Sequence, residues 1–296
     1  MSAIRFFTSR SASGKGALAL VATAFLWSTS GLFIKLIDWQ PFAIAGGRSL
    51  IACAVILLVL RRPQFHFSFA QVAAGLANAA TMLLFVVANK TTTAANAIIL
   101  QYIAPVLTAL LGALLLKERI RPEHWGAFVV VAAGMVVLFM DKLGGGQLLG
   151  NLLAIGSACT FALFFVFMRR QKDGSPLESM LLSHLITAAV GLTVSLFLPF
   201  PTITAGSMGA IFALGVVQIG LAGLLFSYGI KRITAVSASL ISVIEPVFNP
   251  VWVFLVIHET PSLNVLIGGA MIIAAVVVVS LIGAKRGVEP SQGFRE

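Results

Sequence analysis

A chain of 296 residues that is 59% hydrophobic and only 10% charged, with mean hydropathy +1.02, lies far outside the soluble range, where about a quarter of residues are charged. That composition describes an integral membrane protein and excludes a soluble enzyme or binding domain. The formal charge of +10 does not mark a nucleic-acid binder, because the basic residues fall in short links between apolar runs.

A membrane-spanning helix needs roughly 20 apolar residues. Ten windows meet that length, near 16–36, 41–60, 69–88, 94–115, 123–140, 148–168, 177–198, 207–228, 236–257 and 262–283. The expected fold is therefore an all-α integral membrane protein of ten transmembrane helices. Strand-like alternation is absent, which argues against a β-barrel. The Ser-rich, basic first 15 residues followed by an apolar run resemble a signal peptide. The length of the run and its alignment with window 6 instead make it a retained first span.

With the N-terminus inside, sixteen Lys and Arg residues fall on the inner side and Lys35, Lys90 and Lys142 on the outer, with Arg48 inside window 2. This positive-inside bias places both termini in the cytoplasm, and the expected location is a bacterial inner membrane. Cys53 and Cys159 both lie within windows and read as packing residues.

Window 1 offers Trp27, which aligns with Phe161 of window 6 at an offset of 134. Window 2 carries Arg48, able to hold a carboxylate or phosphate, to pair with a helix end or to snorkel. Window 3 offers Asn78, which aligns with Gln218 of window 8 at an offset of 140. Window 7 holds His184, a potential proton shuttle. Together with Tyr102, Phe164 and Tyr228, these residues define a potential amphipathic lining. Windows 5 and 10 are almost purely apolar. Gly126, Gly134, Gly268 and Gly269 allow close packing there. Trp39 and Trp125 lie at window ends as interfacial anchors.

Windows 4 and 9 repeat one another. Lys90, Thr93, Ala94, Ala97, Pro105 and Glu118 recur 141 residues later as Lys231, Thr234, Ala235, Ala238, Pro246 and Glu259. Five windows per copy force the copies to enter the membrane from opposite sides, and the flanking Lys and Arg residues invert accordingly. Two inverted five-helix repeats are expected, 16–140 and 147–283, between cytoplasmic tails 1–15 and 284–296. Inverted repeats are a signature of transporters.

The 4-3-4 spacing of Ala97, Gln101, Ala104 and Thr108 puts them on one helical face. The same face of the second copy holds Ala238, Ser242, Glu245 and Asn249. Pro105 and Pro246 free backbone carbonyls near mid-membrane, and Pro250 is expected to add a second break. A carboxylate as deep as Glu245 costs on the order of 3 kcal/mol to insert. It serves proton coupling, anchors a substrate ammonium or satisfies the backbone around Pro246. Coupling candidates are Glu245, Arg48 and His184. Glu118 and Glu259 are expected to cap or lock the repeats.

Residues Ala97–Glu118 and Ala238–Glu259 resemble the paired signatures of EamA-type members of the drug/metabolite transporter superfamily. The shared features are a mid-helix proline (Pro105; Glu245-Pro246 in the second copy) and a closing glutamate (Glu118, Glu259). Pro41 followed by Arg48 resembles the start of the family's second helix. The resemblance implies a central cavity with helices 5 and 10 peripheral. The overall pattern is similar to YddG-like exporters of aromatic and other hydrophobic amino acids.

The expectation is a secondary transporter of a small organic solute in the lipid bilayer, working by alternating access. Another metabolite or drug-like solute is the alternative within that class. Gly14-Lys15 is not part of a phosphate-binding loop and there is no metal motif, so no cofactor is expected. A membrane-embedded enzyme acting on lipid or peptide is the other class. It would need clustered catalytic groups, and no triad or metal set is present. Proton coupling and oligomeric state stay open.

Overall fold

The structure, a computed structural model, describes residues 2–92, 94–142, 148–199, 202–258 and 262–286. Thr93 and Glu259 lie outside them. The described residues form helices and connecting turns, with ten spans long and apolar enough to cross a membrane. They are span 1 Ala12–Ile34, span 2 Pro41–Leu60, span 3 Phe69–Ala88, span 4 Asn96–Leu116 and span 5 Pro122–Phe139. Span 6 Leu148–Arg170, span 7 Pro176–Ser195, span 8 Ala205–Ile230, span 9 Ala235–Val256 and span 10 Leu263–Ile282 complete the second copy.

Among the described residues, the most extensive packings have counterparts with the copies exchanged. Span 3 packs on span 6, as span 8 packs on span 1. Spans 2 and 7 pack on each other, as do spans 5 and 10. The correspondence extends to single residues. A Cβ on Gly150 would lie 2.6 Å from the Thr91 backbone, and one on Gly16 would lie 2.6 Å from the Arg232 Cβ. Gly16 and Gly150 are 134 apart; Thr91 and Arg232 are 141 apart. One contact made twice in exchanged copies requires a two-fold relation between them. Five spans per copy turn the second copy over relative to the first.

Spans 5 and 10 cross where a Cβ on Gly268 would meet the Gly134 carbonyl and the Leu138 nitrogen at 2.5 Å. Spans 2 and 7 cross similarly at Gly46 and Gly191. Small residues let helix backbones approach where lipid supplies no hydrophobic drive for association. Gly126 takes no part, since nothing lies within 4 Å of its Cβ position. Span 5 and span 10 turn their outer faces outward, with Val129, Leu266 and Val277 exposed.

Four local features interrupt the helices. Span 4 is two helices, Ala94–Gln101 and Ala104–Leu116; span 9 is likewise Ala235–Ser242 and Ile244–Ile257. A proline removes the bond to the carbonyl four residues back. For Pro105 and Pro246 those carbonyls belong to Gln101 and Ser242, where the first helix of each pair ends. Pro250 stays inside a continuous helix, so the second break expected there is absent. Span 1 breaks after Trp27, where the Ser28 and Thr29 hydroxyls donate back to the Phe25 and Leu26 carbonyls. Nothing in the repeat pattern foretold this, because its counterpart, span 6, is unbroken. Leu214–Leu221 of span 8 is a π-helical segment. The extra residue that such a bulge holds accounts for the offset rising from 140 at Asn78/Gln218 to 141 at Lys90/Lys231.

Both broken spans end alike. Lys117 and His258, 141 apart, have φ of 55° and 61° and close their helices in the left-handed conformation. The Glu118 N–H then donates to the Gly112 carbonyl at 3.1 Å, satisfying one of the orphan carbonyls of the helix end.

Candidate functional site

The breaks in spans 1, 4 and 9 and the bulge in span 8 bring polar groups together midway along the bundle. The Tyr102 hydroxyl, in the turn between the two halves of span 4, donates to Glu245 Oε2 at 3.0 Å and lies 3.5 Å from the Ser242 carbonyl that Pro246 leaves free. The tyrosine of one copy thus completes the broken helix of the other. Arg48 Nη1 donates to Gln218 Oε1 at 3.5 Å from within the bulged segment. Arg48 and Glu245 feel each other's charge; Tyr102 holds Glu245 and Gln218 holds Arg48. Arg48 Nε has no hydrogen-bond partner. Both side chains are partly accessible.

His184 is wholly buried near Arg48, and neither ring nitrogen has a partner. Asn78 donates to the Ser183 hydroxyl at 2.7 Å. This bond and the Arg48–Gln218 bond join equivalent pairs in exchanged copies, with donor and acceptor reversed. Asn78 and Gln218 are 140 apart, and Arg48 and Ser183 are 135 apart, as are Pro41 and Pro176 at the starts of their helices. The copies therefore agree in scaffold and differ in charge. Arg48 stands opposite Ser183, His184 opposite Ser49, Glu245 opposite Ala104 and Tyr102 opposite Val243. The charged groups are thus carried by one copy of the shared scaffold only.

The aromatic side is built from Trp27, half-buried at the end of the first helix. It stacks on Phe226 at 5.6 Å and approaches Phe161 at 6.4 Å. Phe164 lies behind, stacked on Phe226 at 5.0 Å and 1% exposed. It is a core residue rather than a lining one. Tyr228 is also displaced from the expected lining: the Arg232 guanidinium sits 3.4 Å over its ring near the end of span 8.

The expected polar stripes divide. Gln101 donates to the Ser157 hydroxyl at 2.9 Å, and the Ser242 hydroxyl bonds to the Ser239 carbonyl. Thr108 is fully buried with its hydroxyl unpaired. Of the four residues besides Glu245, Asn249 alone is partly accessible. The 4-3-4 spacing assumes a straight helix, and the turns at Tyr102-Ile103 and Val243 rotate the two halves of each span relative to each other.

A second cluster lies where spans 4 and 6 end and span 9 begins. Glu118 Oε1 accepts from Arg169 Nε at 3.2 Å, and Oε2 accepts from the Ala235 N–H at 3.0 Å. Arg169 Nη1 donates to the Ile230 and Lys231 carbonyls at 3.1 and 2.7 Å. Burial pushes the Glu118 carboxyl above its usual range, against the opposing pull of Arg169 and the Ala235 N–H. Glu118 thus serves the capping and locking role expected of it, at the positive end of a helix dipole. Arg169 escaped sequence reasoning as its partner, because the pairing crosses the repeats.

The model of the EamA-like transporter family matches residues 14–140 and again 148–281. An uncharacterized transporter of Archaeoglobus fulgidus is 26% identical over 268 residues, 89% of this chain and 95% of that one. The uncharacterized transporter YwfM of Bacillus subtilis is 25% identical, over 89% and 93%. The aromatic amino acid exporter YddG of Ancylobacter novellus is 28% identical over 197 residues, 64% of this chain and 68% of that one. A crystallised protein superposes with a TM-score of 0.77 at 24% identity, over 92% of this chain and 98% of that one, a likeness of fold.

Proposed function

Because this chain belongs to the EamA-like transporter family of the drug/metabolite transporter superfamily, we propose that this multi-pass membrane transporter of small solutes exports hydrophobic amino acids, aromatic ones first, by alternating access. The observation that carries this reading is the mid-depth pair of opposite charges. Arg48 and Glu245 are each held by a neutral partner, Gln218 and Tyr102, in a bundle where half-buried Trp27 offers an aromatic face. A zwitterion offers the complementary charges, and its apolar side chain suits that face. Arg48 takes the carboxylate, Glu245 the ammonium, and Trp27 and Asn249 the remainder; Phe161, like Phe164, is buried in the core. Asn78, Gln101, Thr108, Ser242 and Phe164 serve the scaffold, and His184 sets the field around Arg48. Similarity to a protein described as an aromatic amino acid exporter supports both solute and direction.

Counterflow in proteoliposomes loaded with phenylalanine tests the solute class. Tryptophan, tyrosine and leucine are expected to compete with labelled phenylalanine, whereas sugars and nucleotides are not. Competition by sugars or organic cations alone would move the protein to another solute class.

The basic links imply a bacterial inner membrane with both termini cytoplasmic. A reporter fused after residue 296 is expected to be active only as a cytoplasmic fusion; periplasmic activity would reverse the orientation.

A further inference from the structure

Span 1 is broken and its counterpart, span 6, is not. Two side chains carried by one copy alone mark the difference. The Ser28 hydroxyl donates to the Phe25 carbonyl at 2.6 Å and accepts the Trp252 indole N–H at 2.7 Å. In a continuous helix the Phe25 carbonyl would accept from the Thr29 N–H. Here that N–H donates to the Leu26 carbonyl instead, at 3.2 Å. The serine therefore takes the place of the missing backbone donor, and the indole holds the serine. At the offsets of their spans, 134 and 141, Ser28 corresponds to Ala162 and Trp252 to Leu111. Neither of those side chains can make such a bond.

Trp252 also shares the helix that carries the charge of the proposed solute site. Glu245, Asn249 and Trp252 follow one another at spacings of four and three within the continuous helix Ile244–Ile257, so they lie on one face. Trp252 and Phe25 meet edge to face at 4.9 Å, and Phe25 meets Phe248 at 5.3 Å. Trp27, where the first helix of span 1 ends, turns instead to Phe226 and Phe161. One indole thus ties the helix that carries Glu245 to the break that carries Trp27.

We propose that Trp252 is a positioning residue for solute selectivity: through Ser28 it holds the span 1 break, and so fixes Trp27 relative to Glu245. The bond sets the spacing between the bound ammonium and the aromatic face that the solute side chain must reach. A ring at that spacing is favoured over a branched aliphatic side chain. The inference rests on the reading of Glu245 and Trp27 as parts of the solute site.

The test is the preference for phenylalanine over leucine, read as the ratio of apparent affinities in proteoliposome counterflow with the full chain at matched yields. Trp252→Phe keeps a ring against Phe25 and removes the N–H. Ser28→Ala gives span 1 the residue that unbroken span 6 has. Each is expected to lower the preference roughly threefold to tenfold, the worth of one hydrogen bond, and the double variant no further than either single one. Trp27→Ala is expected to lower it too, and neither substitution adds to that loss in a Trp27→Ala background. General damage to the fold weakens both solutes together and leaves the ratio as it was. A parental ratio in folded Trp252→Phe, or a further fall in the Trp27→Ala background, would overturn the positioning role alone. Ser28→Ala keeps the proposal falsifiable if Trp252→Phe does not fold. A parental ratio in Trp27→Ala would overturn the aromatic reading of the solute site as well.

Discussion

Replacing Glu245 by glutamine is expected to weaken apparent affinity for phenylalanine by about tenfold to a hundredfold, the loss of one charge-assisted hydrogen bond to an ammonium. Folding should survive. The glutamine carbonyl still accepts from the Tyr102 hydroxyl, which lies 3.0 Å from Oε2 in the parent, and a neutral side chain removes a cost on the order of 3 kcal/mol at this depth. The substitution also removes any proton the carboxylate carries. Stimulation of uptake by an imposed pH gradient is therefore expected to fall to the gradient-free level. Initial rates at several phenylalanine concentrations, with and without the gradient, measure both effects. If Glu245→Gln instead lowers yield and thermal stability while the surviving protein transports normally, Glu245 is fold support around Pro246.

Arg48→Gln is expected to weaken affinity to a similar extent, and Arg48→Lys to lie between it and the parent. Lysine keeps the charge but loses the planar fork that grips a carboxylate at two points. Glutamine ends short of the Nη1 that meets Gln218 at 3.5 Å, so Arg48→Gln also loses this contact between spans 2 and 8 and is compared on folded protein. The order parent, Lys, Gln in apparent affinity, at matched yields, identifies a solute contact. Equal affinities with graded thermal stability would mean that Arg48 merely satisfies Gln218 and the bulge. The field it places on His184 changes in both cases and does not mimic that order.

The spans and the duplication were legible because bilayer thickness imposes a length and repeated proline and glutamate positions impose a register. The site residues stand as the proposal made above. Glu245, Arg48 and Trp27 stood out as charges or rings at depth, and all three are partly accessible near mid-bundle. Three things depended on information that the repeat did not carry. The span 1 break after Trp27 rests on hydroxyls competing for backbone carbonyls, and the Ser28-Thr29-Ser30-Gly31 run was its sole signal. The π-helical segment left only a one-residue change of offset. The bonds of Tyr102 to Glu245 and of Glu118 to Arg169 join opposite repeats, and aligning the repeats pairs equivalents rather than contacts. The polar stripes assume one straight helix, and helical spacing does not carry across the turns at Tyr102-Ile103 and Val243.

The central claim is that one solute presents its carboxylate to Arg48 and its ammonium to Glu245. Counterflow of labelled phenylalanine into proteoliposomes loaded with phenylalanine, 3-phenylpropionate or 2-phenylethylamine tests it most directly, since the last two keep the ring and lack one charge each. Phenylalanine alone is expected to drive labelled uptake, with both single-charge analogues near the unloaded control. Driving by either analogue at the phenylalanine rate would contradict two-point recognition and leave the ring as the recognised feature.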